Sequence, residues 1–141
     1  METRVTWRGG MVFEGINQDG LRTLFDGAPG PGHRAQAATP MEVTAQALAA
    51  CTGMDVVFIL KKMRVPLEDL EVLVHAERAP DPPRAFTRIV LEYIFTGDLT
   101  AEQAERAVAL SQETYCSVGA MLRKAIDLRY VVHIAPRALV A

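Results

Sequence analysis

Two cysteines, Cys51 and Cys116, sit in settings where sulfur could do chemistry. Cys51 lies in Leu48-Ala-Ala-Cys51-Thr-Gly-Met-Asp55, where small neighbours leave room for another group to approach the sulfur. Cys116 lies in Glu113-Thr-Tyr-Cys116-Ser-Val-Gly119, where a short helix is expected to open. A thiol at a helix N-terminus meets partial positive charge that favours the thiolate, the nucleophilic form. The chemistry leaves two readings open: a redox-active pair, or buried thiols that pack as small hydrophobes. A disulfide would require Cα atoms within about 7 Å, across a long stretch of intervening chain.

Other chemistries find little support. His33, His75 and His133 show no metal-ligand spacing, so neither a metal nor another cofactor is expected. Walker A, Gly-x-Gly-x-x-Gly and Gly-x-Ser-x-Gly patterns are absent. Asp55, four residues after Cys51, shares its helix face and would raise the pKa of the thiol as a carboxylate. A structural role is the favoured reading for Asp55, and half-buried packing for Tyr115. His33 is expected in solvent, and His75 and His133 on outward strand positions.

The elements that must position these groups follow from pattern. Val5, Trp7, Met11 and Phe13 alternate with polar residues, and Leu21–Phe25 adds a third strand after the turn Asn17–Gly20. A Pro/Gly loop, 27–38, leads to Thr39-Pro-Met-Glu42, a helix start with Thr39 at the N-cap, Pro40 at N1 and Glu42 at N3. That helix is predicted to reach about Met63, roughly 36 Å. Its middle is apolar nearly all round, so either the core or a partner subunit must cover it. Leu70–Glu77 and Arg84–Thr96 read as an antiparallel pair joined at Asp81-Pro-Pro-Arg84. Thr100-Ala-Glu-Gln103 is a second capping box, the pattern resets around 113–115, and a short helix spans Cys116–Ile126. Leu128–Ile134 closes the chain as a strand, with a tail from Pro136. The order is βββ-α-ββ-α-α-β, an α+β protein of one domain over residues 1–141.

Composition narrows the function classes. The chain has 141 residues, half of them apolar and 23% charged, which excludes disorder and low-complexity polymers. A net charge of −2 offers no basic field for nucleic acid or an anionic membrane. The N-terminus lacks a signal-peptide pattern, and the longest uncharged apolar stretch, Val43 to Met54, is short of the roughly 20 residues of a spanning helix. A cytoplasmic protein is expected.

The block Thr39-Pro-Met-Glu42 through Cys51-Thr-Gly-Met-Asp55-Val-Val-Phe-Ile-Leu60 resembles the first-cysteine helix of the OsmC/Ohr family, the osmotically inducible and organic hydroperoxide resistance proteins. Glu113-Thr-Tyr-Cys116-Ser-Val-Gly-Ala-Met-Leu122 resembles the family's second-cysteine segment. The resemblance implies an intertwined homodimer with antiparallel sheets wrapped around a long buried central helix. It implies a thiol peroxidase in which Cys51 is peroxidatic and Cys116 resolving. An organic hydroperoxide would be the substrate, and a dithiol such as a lipoylated protein the reductant. Met54, Phe58, Met121 and Leu122 would line an apolar pocket. The family's supporting Glu falls at Met41 and its Arg near Gln18, which leaves Glu42 and Arg22 as candidate substitutes. Without a close cation, desolvation is expected to disfavour a Cys51 thiolate. A noncatalytic dimeric ligand-binding module with packing or static cysteines is the alternative, and a stoichiometric redox sensor a third.

Overall fold

The computed structural model describes residues 1–135; the expected tail from Pro136 lies outside the described residues. They form two compact units that divide after Thr44.

The first unit is a meander in which β1 (Thr3–Trp7), β2 (Phe13–Asn17) and β3 (Arg22–Phe25) pair antiparallel in chain order. Gly9 and Gly10, both at positive φ, let the chain turn between β1 and β2. Asp26 follows β3, and its buried carboxylate ties down the loop beyond it. It accepts N–H groups from Gly27 at 2.6 Å and Gln36 at 2.9 Å, with His33 Nε2 at 3.0 Å. His33 is therefore half-buried against a carboxylate, not free in solvent. At the end of the loop, Thr39 and Glu42 close the capping box: Thr39 N–H donates to Glu42 and Glu42 N–H to Thr39 Oγ1.

Helix α1 (Pro40–Lys62) starts at this cap. Leu48, Thr52, Val56, Ile59 and Leu60 form its buried stripe, while Met54, Val57 and Phe58 are exposed. Among the described residues one face of α1 is covered, and the rest of its apolar surface is not. By length and composition alone α1 would suffice to cross a membrane, yet its buried stripe joins the core of the second unit.

That core rests on the sheet β4 (Asp69–Arg78), β5 (Phe86–Thr96) and β6 (Asp127–Ala135), with β5 in the middle. Ile89, Leu91, Tyr93 and Phe95 alternate onto the inner face of β5 and are fully buried. They pack with Leu48, Val56 and Leu60 of α1 and with Ala104, Ala107 and Val108 of α2 (Ala101–Leu110). Thr100 and Gln103 cap α2 reciprocally. A π-helical turn, Ser111–Tyr115, and α3 (Ser117–Leu122) then lead to β6. The sheets are not antiparallel throughout: β6 runs parallel to β5, while β4 runs antiparallel to it. The reason is the length of the crossover, since α2, the π-turn and α3 return the chain to the end where β5 began.

Leu91 fills this core and Val131 faces outward, which gives a paired test. Leu91→Ala is expected to cost about 2–5 kcal/mol of unfolding free energy in urea, and Val131→Ala within about 0.5 kcal/mol of none.

Candidate active site: two thiols in contact

The second unit brings the two cysteines together. Cys51 projects from the middle of α1, half-buried, and Cys116 is the N-cap of α3, only 2% exposed. Both are free thiols, and each stands close enough to shift the other's acidity. The Ser117 hydroxyl stands 3.8 Å from Cys51 Sγ, and the Val118 N–H also points at that sulfur. Gly119 N–H donates to Cys116 Sγ at 3.3 Å. A Cβ at Gly119 would lie 3.2 Å from Cys116 Sγ, so this position has little room for a side chain.

These contacts separate the two acidities. Burial pushes the Cys51 thiol up, but hydrogen bonds from the Val118 N–H, the Cys116 thiol and the Ser117 hydroxyl outweigh it, and the net shift is below 9.0. For Cys116, burial dominates; the Gly119 N–H opposes it, the Cys51 sulfur and the Asp55 charge reinforce it, and the thiol is pushed up to about 11. Two expectations are therefore revised. Cys116, not Cys51, is the thiol that desolvation keeps protonated, despite its position at a helix start. Neutral donors favour the Cys51 thiolate without requiring a cation. The arrangement places a thiol whose pKa is lowered beside one whose pKa is raised.

A polar cluster surrounds the pair. Thr52 Oγ1 lies 2.7 Å from both the Tyr93 hydroxyl and Ser111 Oγ, and Ser111 donates to Asp55 at 2.9 Å. Gln112 Nε2 reaches Thr52 at 3.1 Å and Tyr93 at 2.9 Å, and Arg123 donates to Gln112 Oε1 at 3.1 Å. Asp55 thus has the structural bond that its position suggested. Its charge also raises both thiols.

The other candidates distribute unevenly. Met54 and Phe58 line an open groove of about 670 Å³ between α1 and β4, with Ala50, Gly53, Leu70 and Val72. Phe58 also lines a second groove of about 560 Å³ with Asp55, Lys62 and Leu110. Tyr115 borders it and is exposed rather than half-buried. Met121 is exposed and Leu122 packs against the core, and neither lines these two grooves. Glu42 and Arg22 belong to the first unit. The Glu42 carboxylate is held by its cap, and Arg22 lies 3.7 Å from Glu14 with its side chain 71% exposed. His75 and His133 are outward, both paired with Glu92.

Sequence reasoning missed Ser117, Tyr93, Ser111, Gln112 and Arg123. Thr52 carried a usable signal, a hydroxyl beside the cysteine in an otherwise apolar helix. Tyr93 was hidden inside a strand pattern, and no local pattern marks a π-turn.

The family model for OsmC-like proteins matches residues 31–131. Protein YhfA of Escherichia coli (strain K12) is 42% identical over 131 residues, 92% of this chain and 95% of that protein. A hypothetical protein of Aquifex aeolicus VF5 superimposes with a TM-score of 0.85 at 25% identity, over 96% of each chain. An organic hydroperoxide resistance protein OsmC of Legionella pneumophila does so with a TM-score of 0.71 at 24% identity, over 94% of this chain and 97% of its own.

The thiol contact makes a directional prediction. Cys116→Ala removes a neighbour that lowers the Cys51 pKa, so the pH profile of Cys51 alkylation by iodoacetamide should move to higher pH. Alkylation at neutral pH should slow about tenfold, the effect of losing about 1.4 kcal/mol of thiolate stabilisation.

Proposed function

This chain belongs to the OsmC-like protein family, and from that premise we propose that it is a thiol peroxidase that reduces organic hydroperoxides in stress defence. The observation that carries the reading is the Cys51–Cys116 contact with its divided acidities. In this reaction the Cys51 thiolate attacks the distal peroxide oxygen. The O–O bond breaks, the alkoxide leaves and takes a proton from water, and Cys51 becomes a sulfenic acid. Cys116 then attacks the Cys51 sulfur. An S–S bond forms, and the hydroxyl leaves as water with the Cys116 proton. A dithiol, such as that of a lipoylated protein, reduces the disulfide by two successive exchanges. In this reading Cys116 intercepts the sulfenic acid before further oxidation, supported by its being near enough to Cys51 to feel that sulfur electrostatically.

The substrate we assign is an organic rather than an inorganic peroxide, in keeping with the apolar residues that follow Cys51 on α1. The name of the Legionella relative points the same way. We place the protein in the cytoplasm, and as a homodimer. Support for the dimer is the apolar face of α1 that the chain leaves uncovered, with Met54 71% and Phe58 59% exposed.

Two measurements test the reading. Fully reduced protein given one equivalent of cumene hydroperoxide without oxygen should lose about 2 Da in intact mass, through a disulfide that Cys51→Ser abolishes. No mass change would mean inert thiols and would favour a noncatalytic binding module. In sedimentation, the wild type should be a dimer and the double variant Met54→Glu, Phe58→Glu a monomer; a monomeric wild type would contradict the assembly.

A further inference from the structure

Beside the thiols runs a set of hydrogen bonds whose donors and acceptors can be assigned by elimination. Asp55 Oδ2 is a carboxylate oxygen and accepts, so the Ser111 hydroxyl gives its proton to Asp55. Ser111 then has only lone pairs left for Thr52, so the Thr52 hydroxyl donates to Ser111. Thr52 in turn has no proton left for Tyr93, so the Tyr93 hydroxyl donates to Thr52. Gln112 gives its amide hydrogens to Tyr93 and Thr52, and its oxygen accepts from the Arg123 guanidinium. Every bond in the series points the same way, from a cation at Arg123 to an anion at Asp55. Thr52, Tyr93, Ser111 and Gln112 are all buried, so a reversed or missing member would leave a buried polar group unpaired.

The chain of bonds also has a place relative to the sulfurs. Thr52 follows Cys51 on α1, and Asp55 lies one turn further along. Ser111 and Gln112 open the π-turn that ends at Cys116, whose N–H donates to the Ser111 carbonyl at 2.8 Å. Arg123 is the C-cap of α3, the helix that Cys116 begins. The bonds therefore bracket Cys116 on both sides and fasten its segment to the helix that carries Cys51. The geometry points to Arg123 and Asp55 as positioning residues, the two ends of one polarised hydrogen-bond chain that holds Cys116 against Cys51. The inference deepens the dithiol reading of the same site and rests on it.

The measurable consequence is the stability of the Cys51–Cys116 disulfide. A segment held in place presents Cys116 to Cys51 at high effective concentration, and a loosened segment does not. The test equilibrates the full chain with fixed ratios of oxidised to reduced dithiothreitol and measures the disulfide fraction by quenching, alkylation and mass. Arg123→Gln is expected to lower the disulfide equilibrium constant about fivefold or more, and Arg123→Lys to restore most of it. Thr52→Val, which removes the hydroxyl through which both the Gln112 and the Tyr93 branches reach Ser111, should lower it similarly. The decisive result is coupling between groups that do not touch. In a Thr52→Val or an Asp55→Asn background, Arg123→Gln should change the constant less than twofold. Multiplying effects, or an Arg123→Gln constant equal to wild type, would overturn the inference while leaving the dithiol reading intact. Should Asp55→Asn not fold, the Thr52 cycle alone decides. A wild type that forms no intramolecular disulfide at any ratio would overturn both.

Discussion

The proximity of Cys51 and Cys116, close enough for each to shift the other's acidity, is the constraint on which the rest of the site depends. Neutral groups, the Val118 N–H, the Cys116 side chain and the Ser117 hydroxyl, lower the Cys51 pKa, while Cys116 is pushed up. Burial of Cys116 strengthens the division, because a desolvated thiol gives up its proton reluctantly. The divided pair is also what a peroxidase of this kind requires: a nucleophile at one sulfur and, within reach, a thiol for the product of its oxidation.

The fold meets that requirement with two oppositely treated helix faces. The buried stripe of α1 packs with β5 and α2, and the register it sets fixes the height of Cys51 and Thr52 against Tyr93 and Ser111. The uncovered face carries Met54, Val57 and Phe58, apolar surface of the kind that marks an interface. The crossover from β5 to β6 supplies the other sulfur. By inserting a π-turn between α2 and α3, it turns Cys116 inward at a helix start and allows Ser111 and Gln112 to be buried with their bonds satisfied. Single π-turns inside helical segments recur at functional sites, and here the turn has a specific mechanical role.

Much of this was legible in the sequence because local chemistry specified it. Thr39-Pro-Met-Glu42 and Thr100-Ala-Glu-Gln103 announce helix starts through side-chain acceptors for orphan N–H groups, and both caps form as read. The period-two pattern of 86–96 locates β5 because one of its faces is buried. The two cysteine blocks were legible as a pair. Their acidities were not, since these depend on contacts between residues distant in the chain: a Val118 N–H on Cys51, and an Asp55 charge on Cys116. The parallel placement of β6 was hidden for a similar reason, because strand direction is set by the path of the crossover and not by the strand's own residues. Tyr115 was misjudged because local composition does not say which side of a short helical segment the core lies on.

The most direct test of the account is a titration of thiolate ultraviolet absorbance in the reduced wild-type protein, read against pH. Two steps are predicted, the first displaced below the ordinary cysteine value and lost in Cys51→Ser, the second near 11 and belonging to Cys116. Two overlapping steps near the ordinary cysteine value would mean that the two thiols are not differentiated and would contradict the account.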